Sequence, residues 1–256
     1  MNFLVTNDDG IFSEGLRSLV DAALRLGHRV TVVAPHSQCS ANSQHITLTH
    51  PLLVHQVPWE GVERAYSVEG TPADCVRVAP SLTSERFDYC LSGINRGENA
   101  GSAVYYSGTV AAAREAAMMY IPAMAVSIRV GSDESMRQKV ADIAVRAAEK
   151  FQGVELPRFS IININAPAIP VAEWKEMVVC PLSRAYYVDG YEKRQSPLGQ
   201  TYLWLAANDT SGVPMEMAEE GSDYAYLLSG HVTCTFLGAF VDHNAAFADR
   251  MQGIGL

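Results

Sequence analysis

Two adjacent carboxylates, Asp8 and Asp9, are the strongest chemical signal in the sequence, because they follow directly on a short apolar segment at residues 3–6. Neighbouring carboxylates repel each other and resist desolvation unless a cation neutralises them. Their oxygens are hard ligands that suit Mg²⁺, Mn²⁺ or Ca²⁺. The pair therefore indicates a divalent metal site, although a solvated turn before a helix explains the same dipeptide equally well.

The glycine-rich loop at residues 93–101 is a second candidate for ligand binding. Its glycines let the backbone approach a ligand closely, and the amides of Asn95 and Asn99 could bind a metal or a phosphate. Ser40, in the polar loop after the second predicted strand, could bring a hydroxyl to the same crevice. Taken singly, an ordinary surface loop and a solvated serine are the alternative interpretations.

The segment Ser107-Gly108-Thr109 stands directly before a helical pattern at residues 110–119. Backbone N–H groups at the start of a helix lack partners within the helix, so they form an anion site to which two hydroxyls add donors. Simple N-capping accounts for the same residues. In combination with the acidic pair and the glycine-rich loop, however, the segment predicts a divalent metal facing a phosphate.

The elements that must position these residues alternate between strands and helices. Such an alternation predicts an α/β fold with a doubly wound, mostly parallel sheet, whose ligands bind at the carboxyl ends of the strands. Asp8 and the glycine-rich loop should therefore meet at one sheet edge. The predicted strands are residues 3–6, 29–34, 89–92, 123–128 and 160–164. Three predicted helices begin after Ser13, Thr71 and Ser107, and a fourth covers residues 135–150.

The pattern loosens after Pro167, where residues 202–206 and 231–237 suggest strands of a smaller antiparallel extension. We therefore predict one domain that consists of an α/β core at residues 1–167 and a C-terminal extension at residues 168–256. We expect the extension to contribute to contacts between subunits.

Composition narrows the classes of function. Of the 256 residues, 48% are hydrophobic and 18% charged, which is typical of a folded chain with a sizeable core. The net charge of −9, without a run of Lys or Arg, argues against binding to polymeric nucleic acid. A small anionic substrate needs only a local positive site.

Five widely spaced cysteines without a C-x-x-C pair indicate a reduced protein, neither disulfide-stapled nor zinc-binding. The N-terminus lacks a basic leader, and no apolar run is long enough to cross a bilayer. We therefore expect a cytoplasmic protein with no membrane partner.

Several sequence blocks, in one order, resemble the SurE family of stationary-phase survival proteins. The first is Leu4-Val5-Thr6-Asn7-Asp8-Asp9-Gly10 at the N-terminus. The others are Val32-Val33-Ala34-Pro35 with Ser40, Gly70-Thr71-Pro72-Ala73-Asp74-Cys75-Val76, Ser92-Gly93-Ile94-Asn95-Arg96-Gly97 with Asn99 and Gly101, Tyr106-Ser107-Gly108-Thr109-Val110-Ala111-Ala112-Ala113, and Asn163-Ile164-Asn165 with Pro167.

The resemblance implies a Rossmann-like domain with a C-terminal part used in a homodimer or homotetramer. It implies a phosphatase that needs one divalent metal ion per subunit, Mg²⁺ or Mn²⁺, and acts on nucleoside 5′- and 3′-monophosphates, with short polyphosphate cleaved by some members. Carried over by position, the metal ligands are Asp8, Asp9, Ser40 and Asn95, the catalytic residues are Asp8 and Asp9, and the phosphate-binding residues are Asn99, Ser107, Gly108 and Thr109.

The chain departs from the family pattern at Cys39, where many members have Arg, and at Leu198, where an Arg is frequent. Neither position is a proposed metal ligand, so these departures concern substrate preference and subunit contact more than the reaction.

The mechanism and two rival functions stay open at the level of sequence. Water could attack phosphorus directly, or Asp8 or Asp9 could form a covalent aspartyl-phosphate. One rival is a metal-dependent hydrolase of another class, such as a deacetylase, although the histidine cluster that favours zinc is missing. The other rival is a nucleotide-binding module without turnover.

Overall fold

A nine-stranded sheet organises the chain in the computed structural model, which describes residues 1–154, 156–186, 190–206 and 218–239. A separate pair of antiparallel strands lies outside this sheet. The strands are β1 (Asn2–Thr6), β2 (Arg29–Pro35), β3 (Val54–Gln56), β4 (Arg64–Val68), β5 (Tyr89–Arg96), β6 (Ala123–Ile128), β7 (Ser160–Ala166), β8 (Lys175–Val179), β9 (Gly190–Gln195), β10 (Thr201–Ala206) and β11 (His231–Gly238).

Five α-helices are formed by the described residues, together with two short 3₁₀ turns. The helices are α1 (Glu14–Arg25), α2 (Pro72–Leu82), α3 (Gly108–Met118), α4 (Glu134–Phe151) and α5 (Asp223–Leu228), and the 3₁₀ turns are Gly101–Tyr105 and Val171–Glu173. Among these helices, none combines the length and the apolar character that crossing a membrane requires.

The strand order in the main sheet is β3-β4-β2-β1-β5-β6-β7-β11-β8. The six strands from β4 to β7 in this order run parallel, which confirms the predicted α/β fold with a mostly parallel sheet. Strand β11 pairs antiparallel with β7 and parallel with β8, so the predicted core and extension share one sheet. The predicted strand at residues 202–206 is β10, which pairs only with β9 within the described residues.

Side chains on β1 alternate between two hydrophobic layers, as a strand buried on both faces requires. Phe3 and Val5 point into the layer beneath α1 and α4, whereas Leu4 points into the layer beneath α2 and α3. The chain from β1 to α3 thus winds helices onto both faces of the sheet. This arrangement leaves the carboxyl ends of the strands free for a ligand site.

The helix starts follow local capping chemistry. Ser13 accepts a hydrogen bond from the backbone N–H of Leu16 at the start of α1. Thr71 and Asp74 form a reciprocal capping box at α2. Ser107 accepts from the backbone N–H of Val110 at α3. The three predicted helix starts are therefore confirmed, and each places a functional loop at the same edge of the sheet.

Candidate active site

Three neighbouring parallel strands end beside one another and bring the predicted metal ligands to the same edge of the sheet. Asp8 and Asp9 follow β1, Ser40 follows β2, and Asn95 lies at the end of β5. Because β2, β1 and β5 are adjacent in the sheet, side chains from distant parts of the chain meet at their carboxyl ends.

A cavity of about 640 Å³ opens at this edge of the sheet. Its polar wall includes Asp8, Ser40, Asn95, Asn99 and Ser107, and Arg96, Glu98 and Ser102 line it as well. The structure therefore brings together five of the eight residues that the sequence singles out. The other three, Asp9, Gly108 and Thr109, lie next to this wall and contact its residues or its loops.

Asp8 is the most constrained side chain of the site, with an exposure of only 4%. The Thr109 hydroxyl donates to its Oδ1 at 2.5 Å, and the backbone N–H of Cys39 donates to its carbonyl oxygen at 2.7 Å. Burial raises the pKa of Asp8 to about 6, and the nearby charge of Asp9 adds to that shift, while the Thr109 hydrogen bond opposes it.

Asp9 faces a second cavity, of about 490 Å³, on the other side of the loop. The backbone N–H of Arg96 donates to its Oδ2 at 3.2 Å. Burial raises the pKa of Asp9, against the opposing influence of the Arg96 N–H and the Arg96 charge. Asp8 and Asp9 thus belong to a loop that borders both cavities. The Arg96 N–H ties Asp9 to the end of β5, the strand that carries Asn95.

The N-terminus of α3 packs directly against Asp8. A Cβ atom on Gly108 would lie 2.8 Å from the Asp8 Cβ, closer than side chains tolerate, so glycine permits this approach. The Thr109 hydroxyl is engaged by Asp8 and the Ser107 Oγ by Val110. The backbone N–H of Thr109 also hydrogen-bonds Asp8. An anion at this helix would therefore meet mainly the N–H of Gly108.

Three buried polar residues that the sequence analysis did not assign hold the loop of Asn99. Its backbone N–H donates to Asn165 Oδ1 at 2.7 Å, and its side chain donates to Ser127 Oγ at 2.8 Å. Its carbonyl oxygen accepts from Asn163 Nδ2 at 2.8 Å and from Asn165 Nδ2 at 3.2 Å. The alternation of Asn163 and Asn165 within an apolar strand was the signal available in the sequence.

The side chains present fit a hard divalent cation. Two carboxylates, the Ser40 hydroxyl and the Asn95 amide are oxygen donors, and Asn95 donates its Nδ2 to the Gly97 carbonyl at 2.8 Å, which leaves its Oδ1 as an acceptor. The contacts that lower the pKa of Asp8 are hydrogen bonds rather than a neighbouring cation. Among the described residues, no three His, Cys, Asp or Glu side chains cluster as a metal site.

Comparisons with known proteins identify relatives of the chain. The chain is 39% identical to a protein named 5′-nucleotidase SurE from Solidesulfovibrio magneticus, over all of this chain and 98% of that relative. It is 40% identical to a protein of the same name from Nitratidesulfovibrio vulgaris, over 98% of this chain and 93% of that relative.

A solved structure and a family profile point the same way. The crystal structure of the SurE protein from Aquifex aeolicus superposes with a TM-score of 0.82 at 33% identity and covers 99% of both chains. The profile of the family described as survival protein SurE matches residues 3–189. That span contains all eight predicted site residues, and the chain belongs to the SurE family.

Proposed function

We propose that the chain is a 5′-nucleotidase, a phosphomonoesterase that hydrolyses nucleoside 5′-monophosphates to a nucleoside and inorganic phosphate. The observation that carries this proposal is the cavity in which a buried carboxylate, amide and hydroxyl oxygens and the start of a helix face one another. The name shared by the relatives supports the same activity. Nucleoside 3′-monophosphates and short polyphosphate are further substrates that we propose for this site.

In this proposal Asp8, Asp9, Ser40 and Asn95 hold one divalent ion, Mg²⁺ or Mn²⁺. When bound, such an ion neutralises charge on a phosphoryl oxygen and makes a bound water more acidic. The role of the protein is to hold these four side chains in place. Thr109 and Cys39 do so for Asp8, and the Arg96 N–H does so for Asp9.

The phosphate is proposed to lie between Asn99 and the first turn of α3. The N–H group of Gly108 at the start of the helix stabilises the negative charge that grows in the transition state. Thr109 bonds Asp8 through both its N–H and its hydroxyl, so its role here is to position that carboxylate. Ser107 adds a hydroxyl at the cavity wall. A water then attacks phosphorus in line with the departing nucleoside oxygen.

Asp8 and Asp9 are the candidate catalytic residues, and two different roles are open to them. Either carboxylate can accept the proton of the attacking water, or one can attack phosphorus itself and form an acyl phosphate. Single turnover in ¹⁸O-labelled water tests one of these routes. Label in the aspartate identifies an acyl phosphate hydrolysed at its carbonyl carbon, whereas label only in phosphate means that water attacked phosphorus, either in the substrate or in an acyl phosphate.

A phosphate-release assay tests the proposed activity. AMP, GMP, 3′-AMP and p-nitrophenyl phosphate are each incubated with Mg²⁺ or Mn²⁺, and the same reactions are repeated with EDTA and with Asp9→Asn. We expect release from nucleotides that both EDTA and the substitution abolish. Release that survives both treatments would rule out the metal mechanism, and nucleotide binding without release would identify a binding module.

A homodimer or homotetramer is proposed from the surface of the β9–β10 pair. Tyr202 and Trp204 are exposed on one face of β10, and a two-stranded ribbon is marginally stable when it stands alone. Contact with a second subunit would cover this face. Light scattering coupled to gel filtration should give a multiple of the chain mass, and the double substitution of both aromatic residues by Ser should lower it.

A cytoplasmic location is proposed from the cysteines. All five are free thiols, and four of them are buried. Such thiols suit a reducing compartment. Fractionation of cells that produce the full chain should recover it with soluble cytoplasmic enzymes, and recovery with membranes or outside the cell would contradict the proposal.

A further inference from the structure

The mouth of the 640 Å³ cavity differs in chemistry from its polar wall. Besides the oxygen ligands, the cavity is lined by Tyr106, Tyr186, Tyr191 and Leu205. The three tyrosines are exposed to 60%, 57% and 68%, respectively. Large aromatic side chains are seldom left this open beside a cavity unless they contact a ligand or a partner.

Building on the proposed nucleotidase activity, we propose that Tyr106, Tyr186 and Tyr191 form a stacking rim that binds the nucleobase. A nucleoside monophosphate carries a dianion at one end and a flat aromatic ring at the other. The cavity offers polar residues for the anion and exposed aromatic side chains for the ring within one space of about 640 Å³. Tyrosine faces stack on any base, so the rim selects nucleotides over base-free phosphates while accepting purines and pyrimidines.

Tyr106 couples the rim to the phosphate site because it directly precedes Ser107, the cap of α3. Its backbone N–H donates to Ala103 at 3.1 Å, and its carbonyl oxygen accepts from the N–H of Ser43 at 3.0 Å. The residue is thus held between the 3₁₀ turn Gly101–Tyr105 and the loop that carries Ser40. Its ring is free while its backbone is fixed.

Tyr186 is positioned by a segment docked on the other side of the same turn. The N–H of Ser102 donates to the Ala185 carbonyl at 2.9 Å, and a Cβ on Gly101 would lie 2.8 Å from that oxygen. Ala185 packs with Ala100 and Tyr224 in a small apolar cluster. The backbone beside Tyr186 is therefore anchored to the loop that carries Asn99.

Tyr191 reaches the cavity from the β9–β10 pair, where it lies opposite Leu205 in the antiparallel register. Alternation along β10 places Leu205 on the opposite face from Trp204. One face of the ribbon therefore serves the rim, while the other is the face proposed above for subunit contact. The rim thus joins three separate elements of the chain.

The test compares a nucleotide with its base-free counterpart. Phosphate release from AMP, CMP and ribose 5-phosphate is measured for the wild type, Tyr106→Ala, Tyr191→Ala and the matching Phe variants. We expect kcat/KM on AMP to fall roughly 5- to 100-fold in the Ala variants through a higher KM, the effect of losing one base–aromatic stack. Ribose 5-phosphate should be unaffected, and the Phe variants should retain activity because they keep the ring.

Tyr105→Ala is the matched control, because Tyr105 is 61% exposed but faces Arg114 and does not line the cavity. An equal loss on AMP and ribose 5-phosphate, or no loss on AMP, would overturn the stacking rim. If the wild type releases phosphate from neither substrate, the nucleotidase proposal fails instead. In that case the affinity of the same variants for AMP, measured by calorimetry, tests whether the rim binds the base. Weaker binding by the Ala variants supports the stacking rim, and equal binding overturns it.

Discussion

Asp8 illustrates how single residues prepare the site before any ligand binds. Its side chain is buried, it receives a hydroxyl donor from Thr109, and Gly108 allows α3 to pack directly against it. A buried carboxylate is costly without compensation, and here one hydrogen bond supplies part of that compensation. The residual cost is what a bound cation would remove.

Replacement of Thr109 by Val tests the contribution of that hydrogen bond. Val keeps the shape of Thr but removes the donor to Asp8, so we expect the free energy of unfolding at neutral pH to fall by about 1–3 kcal/mol. Nucleotidase activity should fall as well, because the carboxylate loses its orientation. Urea denaturation and phosphate release measure the two effects.

Thr109→Ser is the matched control, since it retains the hydroxyl and should remain near the wild type in activity. Equal stability and activity of the Val variant would mean that the hydroxyl does not orient Asp8.

Close approach of whole elements sets the shape of the site at the next scale. In α1, a Cβ on Gly15 would lie 2.1 Å from the Ile94 carbonyl oxygen of β5. The helix that begins after the Asp9 loop is therefore pressed against the strand that carries Asn95. Backbone atoms on both sides leave little freedom to relax such a contact.

Gly15→Ala has two opposing effects on stability, both of known size. Alanine favours a helix over glycine by roughly 1 kcal/mol, whereas overpacking against backbone costs about 1–3 kcal/mol or more. Because the blocking atom belongs to a strand, we expect the steric cost to prevail and the melting temperature to fall. Ser18→Ala, at a half-buried position of the same helix, provides the control. A rise in melting temperature would show that α1 can shift away from β5.

The Asn99 loop depends in a similar way on β7. Asn165 is fully buried and bonds both the N–H and the carbonyl of Asn99. Its replacement by Leu removes both bonds at similar volume, and a small displacement of a phosphate ligand can cost about a hundredfold in rate. We therefore expect kcat/KM on AMP to fall by that order, with the helical circular dichroism signal retained.

Ser160→Ala lies at the far end of the same strand and should leave the rate intact. A normal rate for Asn165→Leu would mean that the loop of Asn99 holds its position without β7.

At the scale of the whole molecule, Asp223 ties the C-terminal extension to the active-site edge. Its carboxylate accepts from the N–H groups of Ser183 at 2.8 Å, Tyr224 at 2.7 Å and Gly101 at 3.3 Å. Burial raises the pKa of Asp223, and these three donors oppose the shift. One side chain thus joins the turn after Asn99 to the segment that carries Tyr186.

Asp223→Asn should loosen that connection. The amide nitrogen cannot accept a hydrogen bond, so at least one backbone N–H loses its partner, at a cost of about 1–3 kcal/mol. We expect lower stability and faster proteolysis near residues 183–186, measured by urea denaturation and limited digestion with mass spectrometry. Glu192→Gln, on the exposed hairpin, is the control. Unchanged digestion would show that the apolar cluster of Ala100, Ala185 and Tyr224 holds the segment alone.

Local patterns were sufficient to predict much of the fold and the outline of the site. Apolar segments marked β1, β2, β5, β6 and β7, capping residues marked α1, α2 and α3, and the parallel alternation placed Asp8 and Asn95 at one edge. These signals are readable because each depends on residues only a few positions apart. Strands β3, β4, β8 and β9 have no such continuous apolar signal and were not predicted.

Only the tertiary structure determines which polar side chain bonds to which partner. The Thr109 hydroxyl, a candidate phosphate donor in the sequence, bonds Asp8 across 101 positions of the chain. Asn165 hydrogen-bonds Asn99, which is 66 positions away in the chain, and β11 pairs antiparallel with β7. Motif and period determine which residues arrive at the sheet edge. Which donor meets which acceptor there depends on contacts between distant segments, and only the packing of the whole sheet and its helices brings those segments together.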